Sequence, residues 1–209
     1  MTKKVIINDA LSKEAFGKVQ EQMMSLQYNW HFGEGVADPS SKGDFQFIHT
    51  IHEGYHMDNQ MEYQVAYPIM EVIQPQVLIR IKANLLTKTE GNEVHGMHVD
   101  TLAPGALTAI YYVNTNNGYT IFDDGDKVES VANRLVIFPA NIKHSGATCT
   151  DELRRVVINF NFIPWRDDKK WHALMAPEDI TYRNHWEQGL DLPLDNDGWP
   201  IMDNNRIPK

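Results

Sequence analysis

Between Val77 and Ile163 the chain breaks into five short runs rich in β-branched and aromatic residues: VLIRIKANLL, ALTAIYYVN, YTIFDDGDKVESVA, NRLVIFPANIKH and RRVVINFNFI. The segments TEGN, APG, NTNNG, DDGD and TCTDE punctuate them. Branched and aromatic side chains fit a pleated, half-buried surface, while Gly, Asn, Asp and Pro supply turn conformations. Short strands at this spacing bury their apolar faces only by closing on one another, as an all-β sandwich or barrel.

The flanks read differently. KKVIINDALSKEAFGKVQEQMMSL predicts a short strand, a turn and a helix, capped by Ser12 or Asp9, with Phe16, Val19, Met23 and Leu26 at helical spacing. HFGEGVADPSSKGDFQF has loop composition, and a helix is expected near Tyr63 to Ile73, ending before Pro75. The expectation is one domain over 1–209, mainly β with flanking helices. Residues 1–76 give strand, helical support and loops, 77–163 the β core, and 164–209 an irregular arm. Trp165, Trp171, Trp186 and Trp199 in that arm suit either a cover for the core or a homodimer interface.

The net charge of −9 argues against a nucleic-acid backbone or an anionic membrane as partner, because both need a basic face. It points instead to a neutral or cationic substrate. A single cysteine, Cys149, allows no internal disulfide and fits a reducing compartment as a buried, incidental thiol. The apolar run Val5–Ile7 is too short for a signal segment or a membrane span, so a cytoplasmic protein is expected.

Chemistry concentrates in HGMHVDTLAPG. In a strand, residues two apart share a face, so His98 and Asp100 project together while His95, at an odd offset, turns away. His144, just after the run RLVIFP, is the candidate third ligand. Two imidazoles and one carboxylate leave three metal positions open, which suits Fe(II) that must take a chelating cosubstrate and O₂. On RRVVINFNF, Val156, Ile158, Phe160 and Phe162 share an apolar face, and Arg155, Val157, Asn159 and Asn161 share the other. Arg155, rather than Arg154, can therefore reach a cavity and hold a carboxylate by two hydrogen bonds. In LTAIYYVN the polar face carries Thr108, Ile110, Tyr112 and Asn114, and Tyr112 can offer its hydroxyl to the same carboxylate. Asn84 and Asn159 can line the cavity or face solvent. His49, His52 and His56 read as rim or substrate-loop residues. His52 and His56 would bind zinc only on a shared helix face, which Gly54 weakens. DDGD reads as a turn, because it lacks calcium-loop spacing.

HVD, KHSG and RRVVINFNF, in this order and spacing, resemble the Fe(II)- and 2-oxoglutarate-dependent dioxygenases, in particular the prolyl 4-hydroxylase-like branch. AIYYVN followed by GYTIF is similar to the strand of that branch whose tyrosine contacts 2-oxoglutarate. The resemblance covers roughly Val77 to Ile163; INDALSKEAFGKVQ is loosely similar to the leading helix of small bacterial and phage members. It implies a double-stranded β-helix, a cupin-like jelly roll, with His98, Asp100 and His144 on Fe(II) and no catalytic side chain beyond them. It implies 2-oxoglutarate as cosubstrate, its far carboxylate on Arg155 and Tyr112. O₂ would oxidise it to succinate and CO₂ while a peptidyl or small-molecule substrate is hydroxylated, with ascorbate as an accessory reductant. The alternative is a non-catalytic jelly-roll module that binds a metal or ligand.

Overall fold

The computed structural model describes residues 3–36, 44–54, 56–57, 60–165, 171 and 174. Its elements are β1 (Val5–Ile7), α1 (Lys13–Met24), β2 (His31–Glu34), β3 (Phe45–Glu53), β4 (His56–Met57), α2 (Gln60–Ile73), β5 (Pro75–Thr87), β6 (Leu107–Tyr112), β7 (Tyr119–Phe122), β8 (Lys127–Glu129), β9 (Arg134–Pro139), β10 (His144–Gly146) and β11 (Arg154–Pro164). The large sheet runs β1-β9-β6-β11-β5-β3-β2, with β4 paired to β3; the small sheet runs β10-β7-β8. All pairs are antiparallel. Two isolated bridges, Val94 to Ala147 and His98 to His144, extend the small sheet past β10. Two facing antiparallel sheets with this strand order form a double-stranded β-helix, or jelly roll.

The period-two alternation of β6 and β11 decides what lies on each side of the large sheet. Leu107, Ala109, Tyr111 and Val113 join Val156, Ile158, Phe160 and Phe162 in the main core, against Val19 and Met23 of α1 and Val65, Ala66, Ile69 and Ile73 of α2. On the other side Ile110, Tyr112 and Val157 meet Val136 and Phe138 of β9 and Phe122 and Val128 of the small sheet. Each fully buried Leu, Ile or Phe contributes about 1.5–3 kcal/mol, so a one-residue slip of β11 would be prohibitive. The register that places the polar side chains is thus fixed by apolar neighbours.

Several local expectations are sharpened. Ser12 caps α1, its hydroxyl accepting from the Ala15 N–H at 3.2 Å. Leu26 lies beyond the end of α1 and is 98% exposed, so it does not continue the buried stripe. Residues expected to be loop include two strands, β2 and the start of β3, in which Phe32 stacks on Phe45 and meets Phe47 edge-on across the pair. His52 and His56 sit on the β3–β4 hairpin, not on a helix, so they share no helix face. The DDGD segment is the β7–β8 turn: Gly125 has φ +87°, and the Asp126 side chain pairs with Lys4. Asn133, itself left-handed at φ 63°, ties the chain before α1 to the sheet: its side chain bonds both polar backbone atoms of Leu11 and accepts from the Tyr111 hydroxyl. Trp171 is buried and donates its indole N–H to the Ile73 carbonyl, whereas Trp165 is exposed. Trp186 and Trp199 lie outside the described residues. No helix among the described residues is long and apolar enough to cross a membrane.

Candidate metal centre and anion-binding end

His98 and His144 are brought together by the backbone itself. They exchange both N–H···O bonds across the isolated bridge, at 3.0 and 2.9 Å, and their rings lie 4.7 Å apart. Each ring is turned by a carbonyl two residues back: His98 Nδ1 contacts Gly96 O at 3.2 Å and His144 Nδ1 contacts Ile142 O at 3.1 Å. A carbonyl oxygen only accepts, so each Nδ1 carries the proton and each Nε2 presents a lone pair. Both Nε2 atoms point at Asp100: His98 Nε2 is 3.6 Å from Oδ1 and His144 Nε2 is 3.7 Å from Oδ2. The three ligand atoms lie within 4.8 Å of one another, a spacing on the scale of two metal–ligand bonds of about 2.1 Å each.

The Asp100 side chain is 2% exposed. Its Oδ2 accepts from Thr108 Oγ1 at 2.8 Å, Asn161 Nδ2 at 3.1 Å and Asn159 Nδ2 at 3.2 Å. Burial alone would push its pKa up, but the imidazole of His144 whenever it carries a proton, and the hydrogen bonds from Thr108 and Asn159, hold the carboxyl below its ordinary value. Burial pulls the His144 pKa down, which keeps that imidazole neutral and able to bind a metal. A rigid set of two aimed imidazole lone pairs and one carboxylate fits a divalent first-row metal. His95 is not in the group; its ring is buried against Asp44 at 3.4 Å.

At the other end of the same β6–β11 face lies Arg155. Asn159 and Arg155 are four residues apart on β11, about 13 Å at ~3.3 Å per residue. Arg155 is 3% exposed. Its Nε–H donates to Ser130 Oγ at 2.8 Å and its Nη2 to Thr120 Oγ1 at 3.1 Å. Among the described residues no carboxylate pairs with it. Tyr112 lies opposite Val157, one place further along; its ring is 5.6 Å from the guanidinium and its hydroxyl donates to Thr120 Oγ1 at 2.8 Å. Two glycines make the room. A Cβ on Gly118 would meet Arg155 Cδ at 2.7 Å, and one on Gly146 would meet Nη1 at 3.3 Å. Arg154 points to the opposite side of the sheet and donates to the Met24 carbonyl at the end of α1.

Between the two ends Ile110 and Val157 give the floor an apolar middle. The face therefore reads carboxylate and imidazoles, then hydrocarbon, then guanidinium and phenol. Thr120, Ser130, Thr108 and Asn161 were not singled out from the sequence as supporting groups. The sequence marks them only by polar types among apolar neighbours, three on strands and Ser130 just past β8, and the register gives them their role. Asn84, the other strand asparagine, bonds Gln46 at 3.1 Å rather than the metal group. Cys149 is buried and bonds the Glu152 carbonyl; burial pushes its thiol up, away from nucleophilic use.

No family model and no curated protein matches the sequence. Solved structures match its fold. A prolyl hydroxylase from Trichoplax adhaerens, in complex with a hypoxia inducible factor oxygen degradation domain peptide fragment, aligns with TM-score 0.54 and 14% identity over 83% of this chain and 87% of that one. A Pseudomonas putida prolyl-4-hydroxylase aligns with TM-score 0.51 and 14% identity over 79% and 94%. The epimerase SnoN, in complex with Fe³⁺, alpha ketoglutarate and nogalamycin RO, aligns with TM-score 0.54 and 12% identity over 96% and 91%. The chain thus has the fold of the 2-oxoglutarate–Fe(II) oxygenases, a group of structural neighbours that includes hydroxylases and an epimerase.

Proposed function

We propose that the protein is an Fe(II)- and 2-oxoglutarate-dependent dioxygenase that hydroxylates a peptidyl residue, proline included, or a small molecule, with release of succinate and CO₂. The observation that carries this reading is the buried Arg155, with no carboxylate partner among the described residues, at one end of a face whose other end is the His98–Asp100–His144 group. A buried guanidinium without a carboxylate calls for an anion from outside. A dianion with one end on Arg155 and the other at the metal group meets both needs, and Ile110 and Val157 suit its short hydrocarbon middle.

In this reading His98, Asp100 and His144 hold Fe(II), which when bound supplies the oxidative chemistry with O₂ and the cosubstrate. Arg155 holds the far carboxylate through charge-assisted hydrogen bonds, and Tyr112 and Thr120 orient it. Asn159, Asn161 and Thr108 fix Asp100, so the ligand set is preorganised. Phe122 and Phe138, packed edge to face beside His144, exclude water from that side. The peptide on the Trichoplax neighbour and the nogalamycin compound on SnoN support both substrate classes for this fold.

The test is succinate release from 2-oxoglutarate with added Fe(II) and ascorbate. Wild type should turn over, even without substrate, well above the His144→Ala variant. Equal rates in the two proteins would leave the non-catalytic module as the better reading.

A further inference from the structure

The cavity side of β5 carries two cations that the cosubstrate does not use. Arg80 and Lys82 stand opposite Asn161 and Asn159 in the β5–β11 pairing, so they flank the two amides that hold Asp100. Arg80 Nη2 lies 3.5 Å from Asp100 Oδ1, and its Nε–H donates to Asn161 Oδ1 at 3.1 Å. Lys82 is half-buried and makes no ion pair with the described residues. Burial and the Arg80 charge both pull its pKa down, against the Glu53 and Asp100 charges. Two like charges on neighbouring same-face positions repel, and a half-buried ammonium gives up hydration, unless an anion completes the pair.

The charges of the loaded site say where that anion comes from. An iron dication, the Asp100 carboxylate, dianionic 2-oxoglutarate and the Arg155 guanidinium sum to zero. Among the described residues Arg80 and Lys82 are then left over against Glu53, an exposed residue opposite Arg80 in the β3–β5 pair.

We propose that Arg80 and Lys82 form a docking site for an anionic group of the substrate, a carboxylate or a phosphate, and that the substrate is an anionic small molecule. This rests on the dioxygenase reading above and narrows it. The negative net charge of the chain points the other way, but a bound group meets the local charge, and beside the metal group that charge is positive.

The experiment uses full-length protein loaded with Mn(II) and 2-oxoglutarate, titrated with inorganic phosphate and separately with acetate. Paramagnetic relaxation of the phosphorus or carboxyl-carbon nucleus reports an anion held close to the metal. Wild type should show saturable enhancement, and the tighter of the two probes names the anion. Lys82→Gln should weaken it by about tenfold or more, the loss of one charge-assisted bond, while Arg80→Lys keeps most of it. Calorimetry of 2-oxoglutarate binding to the same samples should give equal affinity for wild type and Lys82→Gln, which also shows that the variant is folded. No saturable enhancement with either probe, or equal enhancement in Lys82→Gln, overturns the proposal. A fall in 2-oxoglutarate affinity in Lys82→Gln assigns the lysine to the cosubstrate and overturns it too. Failure of wild type to bind 2-oxoglutarate at all is read separately and sinks the dioxygenase reading with it.

Discussion

Asp100 and Arg155 are both buried charges on one side of the β6–β11 pair, and their surroundings differ in kind. Asp100 accepts hydrogen bonds from three side chains and lies 3.5 Å from the Arg80 guanidinium, so the folded chain alone stabilises its charge. Arg155 has two hydroxyls and an aromatic ring but no acid among the described residues. One end is complete as folded and ready for a cation; the other is incomplete and ready for an anion. Stability and binding should therefore respond oppositely at the two ends.

The largest effect is expected from Arg155→Met. Losing two charge-assisted bonds to a carboxylate costs about 3 kcal/mol, so the 2-oxoglutarate dissociation constant should rise roughly 100-fold by calorimetry. The ligand-free variant should melt no lower than wild type, because it sheds a buried charge without a counter-ion. A large drop in Tm would mean that Arg155 is structural and would break the contrast. Thr108→Val at the other end should weaken Mn(II) binding by about 10- to 100-fold, as for other groups that orient a ligand, and leave 2-oxoglutarate affinity of the metal-saturated protein close to wild type. Tyr112→Phe removes only a hydroxyl shared through Thr120. It should raise the 2-oxoglutarate requirement by a few-fold, in line with ~1 kcal/mol for a neutral hydrogen bond.

The smallest effect is on stability against pH in chelator-treated protein. Asp100 and His144 both have folded pKa values below their ordinary ones. For each, the unfolded chain binds protons more readily, so stability rises with pH up to the unfolded value and is lost on acidification. Melts should show a loss as pH falls below about 6.5, absent in His144→Gln, and a second toward about 4, smaller in Thr108→Val. Superimposable curves for His144→Gln and wild type would show that His144 titrates alike in both states.

Much of this face was legible because strand parity is a hard rule. Arg155 rather than Arg154 follows from alternation, and the paired faces of β6 and β11 lie as the sequence predicts; His98 sits on an isolated bridge and Asp100 in a bend, so their convergence comes from that bridge and the Asp100 N–H bond to Ala140 rather than from a regular strand. Other features resist that rule. β2 and the start of β3 sit in a segment whose Gly, Ser, Asp and Pro content imitates loop, while β2 depends on pairing with β3, and β3 on β5, where Phe47 meets Leu85 far along the chain. Leu26 matched a helical period that the chain leaves at Met24. Thr120, Ser130 and Arg80 acquire meaning only through cross-strand register, which sequence spacing does not encode.

β11 is late in the chain yet lies between β5 and β6, and it carries Arg155, Asn159 and Asn161. A growing chain on the ribosome can pair β6 with β9, and can bring His98 to His144, before this strand exists. It then lacks two of the three side-chain donors to Asp100, Asn159 and Asn161, and the Arg155 guanidinium. On the dioxygenase reading, the full set of groups around the metal ligands is thus assembled only once the stretch ending at Pro164 has emerged, which would spare a half-made polypeptide from gathering a redox-active ion it cannot control.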